Sequence, residues 1–156
     1  MFGTAITVLA VVALGISAGA VLAEGVILIP FWRSLEPTAF LAWYHQHARV
    51  LVWFFGPLEA ASALLVVLAA LVSWLTGESS PGLLAGASVL AVLVLAAFPV
   101  YFQRVNASFV EATIAPTEVP VELRRYSTYH WLRVALAVGA FALASVAAAN
   151  HHARTA

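Results

Sequence analysis

Long runs of apolar residues, separated by short polar stretches, divide the chain into four segments. A helix needs about 20 mostly apolar residues to cross the hydrocarbon core of a bilayer. The candidate spans are residues 4–29, which end before Pro30, and residues 50–72, 83–102 and 121–149. The first lacks a basic leader and is too long for the core of a secretory signal. The pattern therefore predicts an all-α fold, a bundle of four transmembrane helices that takes in 1–156 as a single domain.

The polar flanks of two spans predict helices that extend beyond the membrane core. Ten interfacial residues, 40–49, precede the second span, and Pro57 lies within it. The fourth span begins with Tyr126, Tyr129 and Trp131, at the level where aromatic side chains line a membrane surface. We therefore expect extended, kinked second and fourth helices.

Composition agrees with a membrane location. Apolar residues make up 63% of the chain and charged residues 9%, whereas soluble domains carry about 25% charged residues. Seven basic and seven acidic residues give zero net charge, so there is no basic surface that would indicate a nucleic-acid partner. The chain has no cysteine, which excludes disulfides and cysteine-ligated metals.

The arginines predict an orientation. Four spans place both termini on one side, and six arginines flank the loops after the first and third spans: Arg33, Arg49, Arg104, Arg124, Arg125 and Arg133. Because positively charged loops stay in the cytoplasm, we expect these two loops to be cytoplasmic in a multi-pass protein of the cell (inner) membrane.

Ionisable groups within a membrane are costly and suggest function. All four spans carry polar residues toward the end that adjoins these two loops. They are Glu24 on the first span, His45, Arg49 and Glu59 on the second, Asn106 on the third, and Tyr126, Tyr129, His130 and Arg133 on the fourth. We therefore expect a polar pocket that opens toward the cytoplasmic face.

Helical phase groups these residues further. His45, Arg49 and Glu59 fall within a stripe about 80° wide, with a gap at Gly56. Tyr126, Tyr129, His130 and Arg133 share a second stripe. Glu59 lies roughly 15 Å deeper than Arg49 along the helix. A carboxyl group at that depth must be protonated, paired with an arginine or bound to a metal.

Several short motifs carry a resemblance to a known family. They are Gly15-Ile-Ser-Ala-Gly19 on the first span, an aromatic and histidine segment over 40–49, Asn106 at the end of the third span, and Tyr126-Ser-Thr-Tyr-His130-Trp-Leu-Arg133. In this layout the chain resembles the anthrone-oxygenase-like family of small four-helix membrane proteins. Tyr126 stands where a Trp is expected, and Glu59 has no counterpart. The resemblance implies a membrane oxidoreductase that uses O₂ to oxidise a planar phenolic or polyketide-like substrate, so its partners are the lipid bilayer and a small aromatic ligand.

Three functions fit the polar residues. In an oxygenase that needs no cofactor, His45 or His130 would act as the base, and Arg49 and Arg133 would stabilise the substrate anion. Asn106, Tyr126, Tyr129, Glu24 and Glu59 would bind the substrate.

The first alternative is a haem or metal protein in which His45 and His130 are ligands, although the Glu-x-x-His spacing of di-iron bundles is absent. The second is a transporter subunit or assembly protein, which would need a homo-oligomer. A purely structural interpretation also stands, in which Glu24 and Glu59 join helices and the tyrosines lie at the membrane surface.

Overall fold

The computed structural model describes residues 2–77 and 80–155 and is helical, without strands, in these ranges. Its four long helices are α1 (Gly3–Ser34), α2 (Pro37–Thr76), α3 (Pro81–Val110) and α4 (Val119–Thr155). Each is long and apolar enough to cross a membrane. The predicted all-α bundle of four transmembrane helices is therefore confirmed, and the fold is that of a multi-pass membrane protein.

Two of the helices contain a wider, π-helical turn near a proline. In α1, regular helix over Phe2–Ala23 is followed by a π turn, Glu24–Leu28, and then by Ile29–Ser34. In α3, Pro81–Ala97 and Gln103–Val110 flank a second π turn, Phe98–Phe102.

The expectation that Pro30 ends the first helix is wrong. Proline has no N–H group and its ring crowds the preceding turn. The chain accommodates this with the π turn, in which the Ile29 N–H group donates to the Glu24 carbonyl. The helix then continues to Ser34.

The other two helices are long and have no π turn, and the kinks expected in them stay a prediction. α2 contains 40 residues and includes Pro57, and α4 contains 37 residues. At about 1.5 Å per residue, helices of this length exceed the hydrocarbon thickness of about 30 Å. Their ends therefore extend into the interfacial regions, as predicted.

The helices form a ring in which each one packs against two neighbours. α1 and α3 both contact α2 and α4. The half of the bundle that holds the chain termini has a core of small residues, including Ala10, Ala63, Ala87 and Ala140, which allow close helix approach. The outward face carries exposed apolar side chains along all four helices, as a surface in contact with lipid requires.

The opposite half has an aromatic core, which we call the aromatic cap. Its members are Trp32, Phe40, Tyr44, Phe102, Phe109 and Tyr126, all buried. Their rings lie edge to face, for example Phe40 and Phe109 with centroids 5.0 Å apart. The cap closes the bundle beneath the α1–α2 and α3–α4 connections, and the polar residues lie between it and the small-residue core.

Candidate functional site

Arg133 stands at the centre of a group of buried ionisable residues. It projects from α4, is only 8% exposed, and donates from Nη2 to Oε1 of Glu59 on α2. Its Nη1 lies 3.7 Å from Oε2 of Glu24 on α1. The rings of Phe55 and Phe102 lie 5.7 and 5.4 Å from the guanidinium carbon, so aromatic faces cover the charge that the carboxylates leave free.

The pairing of Glu59 with Arg133 explains how the Glu59 carboxylate is stabilised deep in the bundle. An isolated carboxylate in an apolar interior is very costly, and Glu59 is nearly fully buried. Of the three states that the sequence left open, the structure has the pairing with an arginine. The partner comes from α4, and Arg49 on the same helix as Glu59 is exposed.

Glu24 occupies the first position of the π turn in α1. Its Oε1 accepts a hydrogen bond of 3.4 Å from the Tyr126 hydroxyl. Its Oε2 is buried and has no hydrogen-bond partner among the described residues, although Arg133 and His130 lie close to it. Glu24 therefore has one carboxyl oxygen available to accept a proton.

His130 supports Glu24 from the α4 side. The ring is completely buried, and its Nε2 is 2.8 Å from the Val21 carbonyl oxygen. Because a carbonyl only accepts, Nε2 carries the hydrogen. In the neutral imidazole Nδ1 is then an acceptor, and this atom lies 3.9 Å from Glu24 Oε2 without a hydrogen-bond partner in the described structure.

We call Glu24, Glu59, His130 and Arg133 the charge cluster. Two carboxylates and one guanidinium sum to one negative charge when His130 is neutral. In an apolar interior this excess favours the uptake of one proton or the binding of a group that shares its own proton. The charge cluster is thus equipped for proton exchange with a ligand.

A cavity of about 200 Å³ adjoins the charge cluster. This volume is below the range of about 300–1,000 Å³ that is typical of ligand sites, so the cavity limits any ligand to a small molecule. Apolar side chains of α2 and α3 form most of its wall. Its polar lining residues are Glu24, Tyr44, Glu59, Asn106, Tyr126 and Arg133. The Asn106 Oδ1 atom is buried and has no hydrogen-bond partner in the described structure.

The structure brings together most of the residues that the sequence selected. Glu24, Glu59, Asn106, Tyr126 and Arg133 all line this cavity. His130 does not line the cavity but lies next to Glu24. Gly56 also faces the cavity, as the phase of the second helix predicted. Each of the four helices contributes at least one of these residues.

His45 and Arg49 lie elsewhere, which corrects the predicted stripe on α2. Both are exposed, and the His45 Nδ1 atom lies 2.8 Å from the Val110 carbonyl oxygen. Val110 is the last residue of α3, where helix carbonyls lack partners within the helix. His45 therefore caps α3, and Tyr44, one residue earlier, takes its place in the cavity wall.

Tyr129 also lies away from the cavity. It is 45% exposed and stacks on Tyr101 with ring centroids 4.0 Å apart. The Tyr101 hydroxyl donates to Glu122 at 2.7 Å. This pair lies in a separate surface groove between α3 and α4, which agrees with the interpretation of Tyr129 as a residue of the membrane surface.

Four residues of the cavity wall were not predicted from the sequence: Tyr44, Phe55, Phe98 and Phe102. A signal for two of them exists, because Tyr44, Leu51 and Phe55 follow one another at intervals of seven and four residues, the spacing of one helix face. Aromatic residues in a membrane helix are otherwise too common to mark a cavity.

The structure does not form the histidine pair on which the haem or metal alternative depended. His45 binds a carbonyl at the end of α3, whereas His130 binds a carbonyl within α1. Within the described ranges, no group of three histidine, cysteine, aspartate or glutamate side chains is arranged to hold a metal ion.

Comparisons of the chain with models of protein families, with curated proteins and with solved structures found no match.

Proposed function

We propose that this protein is a membrane oxidoreductase of the anthrone-oxygenase-like type, which binds a planar phenolic ketone in the cavity and activates it for reaction with O₂. One observation supports this function above the others. A carboxylate with a free oxygen, Glu24, lies beside the cationic Arg133 at the edge of an apolar cavity. That combination removes an acidic proton and stabilises the anion that results.

The first chemical step is proton abstraction. Glu24 accepts a proton from the methylene carbon of an anthrone, and the electron pair of the broken C–H bond moves toward the ketone oxygen. Arg133 stabilises the enolate. The negative charge passes from Glu24 to the substrate, so no additional charge is created in a medium of low dielectric constant, where a new charge would be costly.

The second step consumes oxygen. The substrate anion transfers electrons to O₂ and forms a C–O bond, and the proton held by Glu24 completes a hydroperoxide. Loss of water from the hydroperoxide leaves a second ketone. One anthrone and one O₂ thus give one anthraquinone and one water, and the substrate supplies all the electrons.

Other residues around the cavity have supporting roles in this proposal. The Asn106 Oδ1 atom, which is free to accept, binds a phenolic hydroxyl group of the substrate. Tyr126 holds Glu24 through its hydrogen bond to Oε1. His130 acts as a positioning residue, because it fixes the α1 turn through Val21 and faces Glu24 with Nδ1.

The test is oxygen consumption by the protein in lipid nanodiscs with anthrone as substrate. Replacement of a general base lowers turnover by about 10²–10⁴-fold, and we expect this loss for Glu24→Gln. The matched control is Glu36→Gln, an exposed glutamate before α2, which should behave like the wild type. Absence of anthrone-dependent oxygen uptake in the wild type, or full activity in Glu24→Gln, would contradict the proposal.

We also propose that the α1–α2 and α3–α4 connections face the cytoplasm of a cell membrane, as the arginine distribution favours. Because the sequence has no cysteine, a single cysteine at Glu36 or Thr113 reports its location. A maleimide that cannot cross membranes should label both variants in inverted vesicles and neither in intact cells. The reverse pattern would contradict this orientation.

A further inference from the structure

One wall of the cavity reaches the outer surface of the bundle, between α2 and α3. Three lining residues are exposed there: Val52 by 50%, Phe98 by 41%, and Gly56. A methyl group placed on Gly56 would meet no atom of another residue within 4 Å. These three residues surround an opening, which we call the mouth.

The mouth lies within the predicted apolar spans. Gly56 is the seventh residue of the span 50–72, and Phe98 is the fifth from the end of the span 83–102, so both lie in the half nearer the α1–α2 and α3–α4 connections. The exposed side chains on both sides of it are apolar, including Trp53, Phe54 and Val100. At this depth a bundle surface meets the hydrocarbon of the lipid tails.

Among the described residues, the cavity has no equally open route at either end of the bundle. Toward the connections, the aromatic cap covers the cavity, and Trp32, Phe40 and Phe109 are completely buried. Toward the termini, the described residues enclose a void of about 10 Å³ beside Glu59, between Ser17 and Ser62. That void has room for about one water molecule.

We propose that the ligand enters and leaves the cavity sideways, from the bilayer interior, through the mouth at Gly56. The substrate is accordingly an uncharged polycyclic molecule that dissolves in lipid and carries a ketone or phenol oxygen for the charge cluster. A permanently charged analogue is excluded, because it would have to cross hydrocarbon to reach the mouth. The assignment of the ligand class depends on the proposed function, whereas the route depends only on the position of the mouth.

The substitution Gly56→Leu tests the route, since it places an apolar side chain at the mouth and its Cβ atom meets no neighbour within 4 Å. The matched control is Gly19→Leu on α1. Gly19 is also exposed, and a methyl group there likewise meets nothing within 4 Å. The two substitutions add the same apolar group to the lipid-facing surface, but only one adds it at the mouth.

The probe is 2-hydroxyanthraquinone, an uncharged planar phenol that is already oxidised, and its association with the protein in nanodiscs is followed by absorbance. Association that requires the protein to open first is slower, and we expect Gly56→Leu to slow it by about tenfold. Gly19→Leu should match the wild type, and anthraquinone-2-sulfonate should not bind. Unchanged association in Gly56→Leu, binding of the sulfonate, or no binding of the neutral probe would overturn the proposal.

A second measurement tests the mouth without any ligand. A nitroxide label on Val52→Cys, the single cysteine of the chain, should collide more often with O₂, which concentrates in lipid, than with a water-soluble nickel chelate. The opposite ratio would show a water-filled opening and overturn the route.

These results also separate the two proposals. If Gly56→Leu blocks the probe but anthrone is not oxidised, the route stands and the proposed function fails. If anthrone is oxidised and Gly56→Leu binds the probe normally, the route fails and the proposed function stands.

Discussion

At the scale of single residues, the molecule depends on Arg133 because this side chain neutralises carboxylates from two other helices. Glu59 and Glu24 are both buried. Among the described residues, Arg133 is the arginine that pairs with each of them, and a protonated His130 would be a second cationic neighbour of Glu24. The arginine thus joins α1, α2 and α4 at one point.

Removal of Arg133 should therefore be costly to stability. Breaking a buried ion pair by removing one partner costs about 3–5 kcal/mol, and we expect this loss in the free energy of unfolding of Arg133→Met in detergent. The double variant Arg133→Met/Glu59→Gln should recover part of it, because fewer unpaired charges remain.

The control for this prediction is the pair of the exposed Arg125 and the partly buried Glu122, 3.1 Å apart on α4. Arg125→Met should cost less than about 1 kcal/mol, as for other surface ion pairs. Equal losses in Arg125→Met and Arg133→Met would show that burial of the charge cluster does not matter to stability.

Sequence reasoning predicted much of this cluster but not its pairing. The depth of Glu59 indicated that it needs a partner, and both Arg49 and Arg133 were available on the predicted faces. The choice between them depends on how α2 and α4 are rotated about their axes. A rotation of the helix by a few tens of degrees decides whether His45 or its neighbour Tyr44 faces the interior. Helical phase alone does not resolve such a rotation over the fourteen residues between His45 and Glu59.

At the scale of helices, the π turn in α1 has a direct consequence for the site. It begins at Glu24 and brings Gly25 against α4, where an added methyl group would lie 3.2 Å from Cδ2 and Nε2 of His130. Contacts this close would push the histidine ring by a few tenths of an ångström, and its bond to Val21 resists that shift. This turn was not predicted from the sequence, because Pro30 indicated only that the helix ends.

The substitution Gly25→Ala should therefore displace the His130 ring and disturb Glu24. Small displacements of catalytic groups lower rates by up to about 10²-fold, and we expect a clear loss of anthrone turnover with little change in the binding of 2-hydroxyanthraquinone. Gly19→Ala is the control, because nothing lies near it. If both variants turn over anthrone at the wild-type rate, the π turn does not position the site.

At the scale of the whole molecule, the pattern of apolar segments was sufficient to predict four membrane helices. The antiparallel order follows from the short connections, and it brings the polar ends of all four helices together. What the pattern does not contain is the aromatic cap, which depends on residues from every helix. Because of the cap, the exposed lining of the cavity lies between α2 and α3, within the apolar spans, and not at the loop face as the clustering of polar residues suggested.

The proposed function requires that the charge cluster takes a proton from a ligand in this cavity. The most direct measurement is the absorbance of 2-hydroxyanthraquinone bound to the protein in nanodiscs, at a pH where the free phenol is un-ionised and yellow. We expect that the wild type produces the red phenolate and that Glu24→Gln binds the probe but leaves it yellow. A bound probe that stays yellow in the wild type, or that turns equally red in Glu24→Gln, would contradict proton transfer to the charge cluster.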